Sequence, residues 1–295
     1  MTEPRLSYLI YATSRSGSTL LCDVLGRTGL AGAPDEYFNM TRSDQHLPGS
    51  TLRPPVWEQR KRELPFPVYV RKIVSETTTP NGVFGAKFSW HTHHHFVRRL
   101  RACADYAGMT DRQMLDAFFP NLQYIFLTRR DKVRQAVSAW KALQTGQWNS
   151  LSSSSPDQMP KLHFNYGLIN DLVSQTIDSE ASVAGYLSSI EVVPLTITYE
   201  DLALEPARQV SAVLSVLDVD VPPGFSFPQP RLSRQVDDLN ERWTQRFLRY
   251  KRNETRLARL VASPLLMLRP SLRRWYIPDR LLPLYRRLRR GEKTL

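Results

Sequence analysis

The chain has 295 residues, 41% of them hydrophobic and 10% aromatic, which is enough to bury a full core and too apolar for a disordered polymer. Its net charge of +12 sits at one end: residues 242–295 hold 16 Lys and Arg against 3 Asp and Glu, leaving 24 against 25 in residues 1–241. A body that binds polyanions through bulk charge is therefore excluded, and the basic C-terminal fifth needs its own explanation.

In chain order, residues 6–13 read as a strand, 14–17 as a tight loop and 18–28 as a helix. An irregular Pro-containing stretch over 31–65 leads to a helix at 66–77. Thr79-Pro80-Asn81-Gly82 is a turn before a strand at 83–90, and helices are expected at 92–106 and 111–118. Leu122–Thr128 (L-Q-Y-I-F-L-T) is a continuous apolar strand of the buried, parallel type. Asp131 then caps a helix on which Val133, Val137 and Trp140 share a face. A serine-rich loop, 150–160, precedes a long helix carrying Ile169, Leu172, Val173, Thr176 and Ile177. A strand at 192–199, a helix at 206–217 and a Pro-rich connector at 222–230 follow. Strands alternating with helices predict an α/β fold: a P-loop-type open, mostly parallel sheet flanked by helices, with its ligand at the carboxyl ends of the strands. Cys22 and Cys103 lie in apolar helical contexts, so a reducing compartment and no disulfide are expected. With no secretory leader pattern and apolar runs well under about 18 residues, a cytoplasmic, non-spanning chain is expected.

The most informative segment is Arg15-Ser16-Gly17-Ser18-Thr19-Leu20-Leu21, placed straight after the first strand. A strand, tight turn and helix start aim several backbone N–H groups at one spot and form an anion pocket. Gly17 permits close approach, Ser16, Ser18 and Thr19 add hydroxyls, and Arg15 adds the cation. The nucleotide-kinase pattern G-x-x-x-x-G-K-[ST] is not met, because Ser18 stands where its lysine would be. A serine-rich helix cap is the bland alternative. Arg129 and Arg130 end a buried strand before a helix that carries Ser138, which suggests a second anion site. An arginine pair solvating a strand end is its alternative.

R-S-G-S-T-L-L, P-D-E-Y-F (34–38), G-A-K-F-S-W (85–90), R-R-D-K-V-R-Q-A-V-S-A-W-K-A (129–142) and R-Q-V-D-D-L-N-E-R-W-T-Q-R-F (234–247) together resemble the bacterial trehalose 2-sulfotransferase family. The likeness spans roughly residues 6–250 and implies the sulfotransferase fold. It also implies transfer of a sulfuryl group from 3′-phosphoadenosine-5′-phosphosulfate (PAPS) to a carbohydrate or glycolipid hydroxyl, and a homodimer. Arg15, Ser16, Gly17, Ser18 and Thr19 resemble the loop that holds the 5′-phosphosulfate. Arg129 and Ser138 occupy the 3′-phosphate positions, although Arg130 has the spacing of the wider sulfotransferase group. Arg234 falls in a block expected to fold over the nucleotide. Glu36 matches the catalytic base, and Lys87, with Arg15, the cations that stabilise the group in transfer. No metal is implied, since arginine and lysine neutralise the charge.

The chain departs from the family at Ala33-Pro34, where a Glu-Pro pair is expected; loss of that acid puts trehalose in doubt as the acceptor, and Asp35 stands next to the gap. Residues 147–160, with Trp148 and the serines, are a second place where acceptor choice is expected to be set. Trp243 and Phe247 read as core rather than an adenine stack. His91-Thr92-His93-His94-His95 lacks the spacing of a metal site.

Residues 1–250 are thus expected to form a sulfotransferase domain and 251–295 a basic, helical, amphipathic extension. In the extension arginines interleave with Leu272, Trp275, Tyr276 and Leu281, broken by Pro264, Pro270, Pro278 and Pro283. That composition suits the inner face of an anionic membrane, packing on the body or a second subunit, or another polyanion. A P-loop phosphotransferase and a non-catalytic binding protein are the alternative readings of the whole.

Overall fold

The computed structural model describes residues 3–39, 64–148, 161–230 and 238–261, the last with side chains to 254. Arg234, the loop 149–160 and the extension beyond residue 261 lie outside the described residues. Four strands, β1 (Leu6–Ala12), β2 (Val83–Phe88), β3 (Gln123–Thr128) and β4 (Leu195–Thr198), form one parallel sheet in the order β2-β1-β3-β4. The helices are α1 (Ser18–Thr28), α2 (Phe66–Thr77), α3 (Trp90–Arg101), α4 (Asp111–Asp116) and α5 (Lys132–Thr145). They continue with α6 (Tyr166–Ser189), α7 (Tyr199–Leu204), α8 (Pro206–Val216) and α9 (Asp238–Val261).

Alternation along the strands divides the core in two. Leu9, Tyr11, Phe84, Ala86, Phe88 and Tyr124 face a cluster with α2, α3, α4 and the end of α6. Tyr8, Ile10, Ala12, Val83, Ile125, Leu127 and Ile197 face the opposite cluster with α1 and α8. Because both faces are covered, all seven residues of β1 are buried, as a central parallel strand requires. A third cluster joins α5, α6 and α9 through Val137, Trp140, Ile169, Trp243 and Phe247, so these last two aromatics are core.

Several ends differ from the sequence reading for local reasons. β2 stops at Phe88 because Ser89 caps α3, its side chain accepting from the Thr92 amide at 3.0 Å. Helix α3 ends at Arg101, and Ala104–Tyr106 is a separate 3₁₀ turn. β4 is only Leu195–Thr198: Val193 is 95% exposed, and Thr198 caps α7 by accepting from the Asp201 amide. Asp131 caps α5 as expected, accepting from the Arg134 amide at 2.8 Å. Helix α9 runs unbroken through residue 250.

Candidate active site

The strand order reverses between β1 and β3: the chain leaves β1 to one side for β2 and crosses to the other for β3 and β4. A ligand crevice is expected at this switch point, outside the carboxyl ends of the strands. The loop after β1 turns left-handed at Arg15 (φ 62°) and again at Gly17 (φ 91°), which caps α1. Ser16 is buried, its hydroxyl donating to the Thr13 carbonyl at 2.8 Å, and Ser18 opens the helix. A Cβ at Gly17 would stand 2.5 Å from Tyr199 Cδ2, so the ring of Tyr199, at the end of β4, lies directly against the loop.

Two clusters of charge flank this loop. In the first, Lys87 Nζ meets Glu36 Oε1 at 2.5 Å and donates to Ser18 Oγ at 3.3 Å. Lys87 lies near the end of β2, and its amide donates to the Asp35 carbonyl at 3.0 Å, which lays the Glu36 segment along the strand. Gly32 permits that approach: it has φ 69°, and a Cβ there would stand 2.9 Å from the Gly85 amide nitrogen. Beyond Glu36, Tyr37 and Phe38 are anchored in the aromatic core, Phe38 among Tyr69, Phe88, Phe96 and Phe119. The Asp35 carboxylate accepts from the Glu36 amide at 2.7 Å, and Asn39 Nδ2 donates to Glu36 Oε2 at 3.3 Å. Burial alone would lower the Lys87 pKa; Glu36, Cys22 and Asp35 together outweigh it and raise the ammonium above the usual lysine value.

The second cluster holds Arg15, Arg129, Ser138 and Tyr199. Arg15 Nε donates to Ser138 Oγ at 2.9 Å and its Nη1 to the Trp148 carbonyl. Arg129 stacks over the Tyr199 ring, 4.5 Å from its centroid, and Nη1 donates to the Arg15 carbonyl at 3.3 Å. Burial lowers the Arg15 pKa, with the neighbouring Arg129 adding to the effect, and burial likewise lowers that of Arg129. Two half-buried guanidinium groups with depressed pKa values in one corner favour an anion between them. Arg130 is directed elsewhere: it is 60% exposed and pairs with Asp201 at 2.5 Å.

The sequence reading put Arg15 beside Lys87 at the transferred group; the left-handed turn at Arg15 carries its guanidinium across to Ser138 on α5. Tyr199, which no motif marked, is the residue the sequence missed. Its signal was position, the first residue beyond the carboxyl end of a parallel strand. His93 is buried and structural, its Nδ1 bonded to the Tyr11 hydroxyl at 2.7 Å. Among the described residues no group of His, Cys, Asp and Glu is arranged to hold a metal, and no helix is long and apolar enough to cross a membrane.

A parallel sheet with a glycine turn after β1, flanked by a Lys87–Glu36 pair and by the Arg15 and Arg129 guanidinium groups, defines a P-loop-type α/β protein with cations gathered at the carboxyl ends of its strands. Residues 7–252 match the profile of the Stf0 sulphotransferase family, and the chain belongs to that family, whose class of activity is sulfuryl transfer. The trehalose 2-sulfotransferase of Mycolicibacterium smegmatis is 28% identical over 269 residues, covering 84% of this chain and 97% of that protein. That of Mycobacterium tuberculosis is 29% identical over 260 residues, covering 81% and 93%. Among solved structures, a sulfotransferase from Alicyclobacillus acidocaldarius has a TM-score of 0.44 at 18% identity, covering 88% of this chain and 96% of that one.

Proposed function

We propose that the chain transfers the sulfuryl group of PAPS to a hydroxyl of a carbohydrate or glycolipid. The observation that carries this reading is the meeting of Glu36, Lys87 and Ser18 at one side of the anion loop and of Arg15, Ser138 and Arg129 at the other. A donor phosphorylated at both ends of one nucleoside fits that pair of clusters. It also fits one local feature: Arg129 Nε is buried without a hydrogen-bond partner among the described residues.

The donor supplies a sulfuryl group on a 5′-phosphate leaving group. On this reading the loop Ser16, Gly17, Ser18 and Thr19 holds the 5′ end through its amides and the Ser18 and Thr19 hydroxyls, with the Ser16 hydroxyl bracing the turn at Thr13. Arg129, Ser138 and Arg15 hold the 3′-phosphate, and Arg234 adds to the nucleotide site. Glu36 takes the proton of the acceptor hydroxyl as its oxygen bonds to sulfur. Lys87, already between Glu36 and Ser18, steadies the charge that grows on the bridging oxygen as the old bond breaks. Arginine and lysine provide this charge neutralisation, so the reading includes no metal.

The curated relatives are named for trehalose. Ala33 in place of the expected acid argues for a different carbohydrate here. The reading extends to a cytoplasmic homodimer with its catalytic domain in residues 1–250 and a basic extension, 251–295, that docks on the inner membrane face. Calorimetry with adenosine 3′,5′-bisphosphate tests the donor: failure of the folded protein to bind it ends the proposal. A labelled-sulfate transfer screen against total lipid and glycan extract identifies the acceptor. Because α9 runs to Val261, the membrane role is tested by liposome co-sedimentation of the full chain against one ending after α9. Equal partition would remove it.

A further inference from the structure

Helix α5 bonds the anion loop through Gln135 and Ser138, three residues apart, and Lys132, three residues earlier, reaches it through Glu180 of α6. Lys132 Nζ pairs with Glu180 at 2.6 Å, and the Thr13 hydroxyl donates to that carboxylate at 3.4 Å. Gln135 is fully buried, and its two amide N–H bonds are both spent on the loop: one to Thr13 Oγ1 at 2.8 Å and one to the Ser14 carbonyl at 2.8 Å. Ser138 receives the Arg15 guanidinium. The three successive loop residues 13, 14 and 15 are thus tied to the helix that bears the second anion site, the first two through Gln135 and the third through Ser138. A fully buried glutamine is uncommon, and its Oε1 has no partner among the described residues. An apolar side chain would fill that space without leaving a buried acceptor unpaired.

We infer that Gln135 is a positioning residue that fixes the distance between the two anion sites, and that it thereby selects a nucleotide phosphorylated at both ends over one with a single phosphate. The inference rests on the donor reading above. A rigid ligand held at two points gains from the second contact only when the spacing of the sites matches its own. The Gln135 amide bridges the elements that carry those sites, one hydrogen bond to a side chain and one to the backbone just before the Arg15 turn. Loosening it leaves each site able to bind a phosphate while weakening their joint grip.

The test is calorimetry on the full chain with adenosine 3′,5′-bisphosphate, 5′-AMP and 3′-AMP, comparing wild type with Gln135→Met, which keeps the length of the side chain and removes both N–H donors. The expected result is a fall of about tenfold or more in the preference for the bisphosphate over 5′-AMP, with affinity for each monophosphate within roughly twofold of wild type. A purely structural role would change melting temperature or all three affinities in parallel and leave that preference intact, which overturns the inference. Thr13→Val removes one of the two acceptors with little change of shape and must move the same ratio in the same direction. A ratio at the wild-type value in whichever variant folds is again a refutation. If the wild-type chain does not bind the bisphosphate, the donor reading fails and takes this inference with it; if it binds and the ratio holds, this inference alone fails.

Discussion

Glu36→Gln isolates the charge of the proposed base, because glutamine keeps an oxygen near Lys87 and removes the carboxylate. The pair is neither a surface bridge nor a sealed one: side-chain exposure is 12% for Lys87 and 28% for Glu36. Exposed bridges contribute about 0–1 kcal/mol and breaking a fully buried one costs about 3–5 kcal/mol. With an oxygen retained, a stability loss of about 1–2 kcal/mol is expected, read as a lower urea midpoint at unchanged m-value. Turnover should fall by about 10²–10⁴, the contribution of a positioned general base, while affinity for adenosine 3′,5′-bisphosphate is spared. The lysine gives a second readout. Burial depresses its pKa, and Glu36, with Cys22 and Asp35, more than restores it, so in the variant the ammonium should titrate below its wild-type value. The sign for stability follows. A folded-state pKa raised above the unfolded value of about 10.4 contributes stability that is fully present below that value and lost as pH rises through the folded one. Wild-type stability should therefore fall on the alkaline side, and the variant should lack that component. Labelled-sulfate transfer, urea melts and a lysine titration by NMR cover all three. Turnover within roughly threefold of wild type would refute Glu36 as the base.

Gly17→Ala should be severe: at φ 91° with Tyr199 Cδ2 2.5 Å from the new Cβ, it should cost about 1–3 kcal/mol in thermal melts and weaken bisphosphate binding at least about tenfold; unchanged affinity would refute the close approach. Arg129→Lys loses the planar fork over Tyr199 and should weaken bisphosphate binding by about tenfold. Arg130→Ala, at an exposed bridge to Asp201, should leave affinity and melting temperature nearly unchanged; the reverse pattern in calorimetry assigns the phosphate to Arg130. Gly85→Ala should lower the urea midpoint without touching bisphosphate affinity in the folded protein. Its Cβ would stand 2.3 Å from Tyr8 Cζ, and Tyr8 is buried with its hydroxyl donating to the Ala31 carbonyl at 2.6 Å; overpacking of this kind costs about 1–3 kcal/mol.

What was legible in the sequence was mostly local. The apolar run at 6–12, the Gly17 turn and the Asp131 cap each act within a few residues, and each appears where pattern and capping chemistry put it. The carboxyl ends of β2 and β4 fall short of the apolar pattern because Ser89 and Thr198 cap the helices that follow, and β4 starts late because Val193 is exposed. A side-chain oxygen bonded to an amide three residues on competes with the ladder, and nothing in an apolar alternation signals it. Arg15 was placed by analogy of position along the loop. Its direction depends on a left-handed backbone at a non-glycine residue, which the motif alone does not specify.

The remainder of the site is non-local, and the sheet explains why it still assembles. Lys87 is the last but one residue of β2, the anion loop follows β1, Arg129 follows β3 and Tyr199 follows β4, so all four contributions emerge at one edge in the order of the strands. Register then decides which face each residue serves. Lys87 pairs with Ile10 and shares its face with Val83, the side covered by α1, where Ser18 waits. Its neighbours Ala86 and Phe88 point into the opposite, aromatic cluster. A slip of β2 by one residue would drive the ammonium into that cluster and present Phe88 to Ser18. Slippage is opposed on both sides of the sheet, by Phe88 packed against Phe38, Phe96 and Phe119 and by Gly85 under the Tyr8 ring. The aromatic core that anchors the Glu36 segment therefore also sets the register of its partner. Acid and cation reach their 2.5 Å contact through one packing arrangement rather than two independent ones.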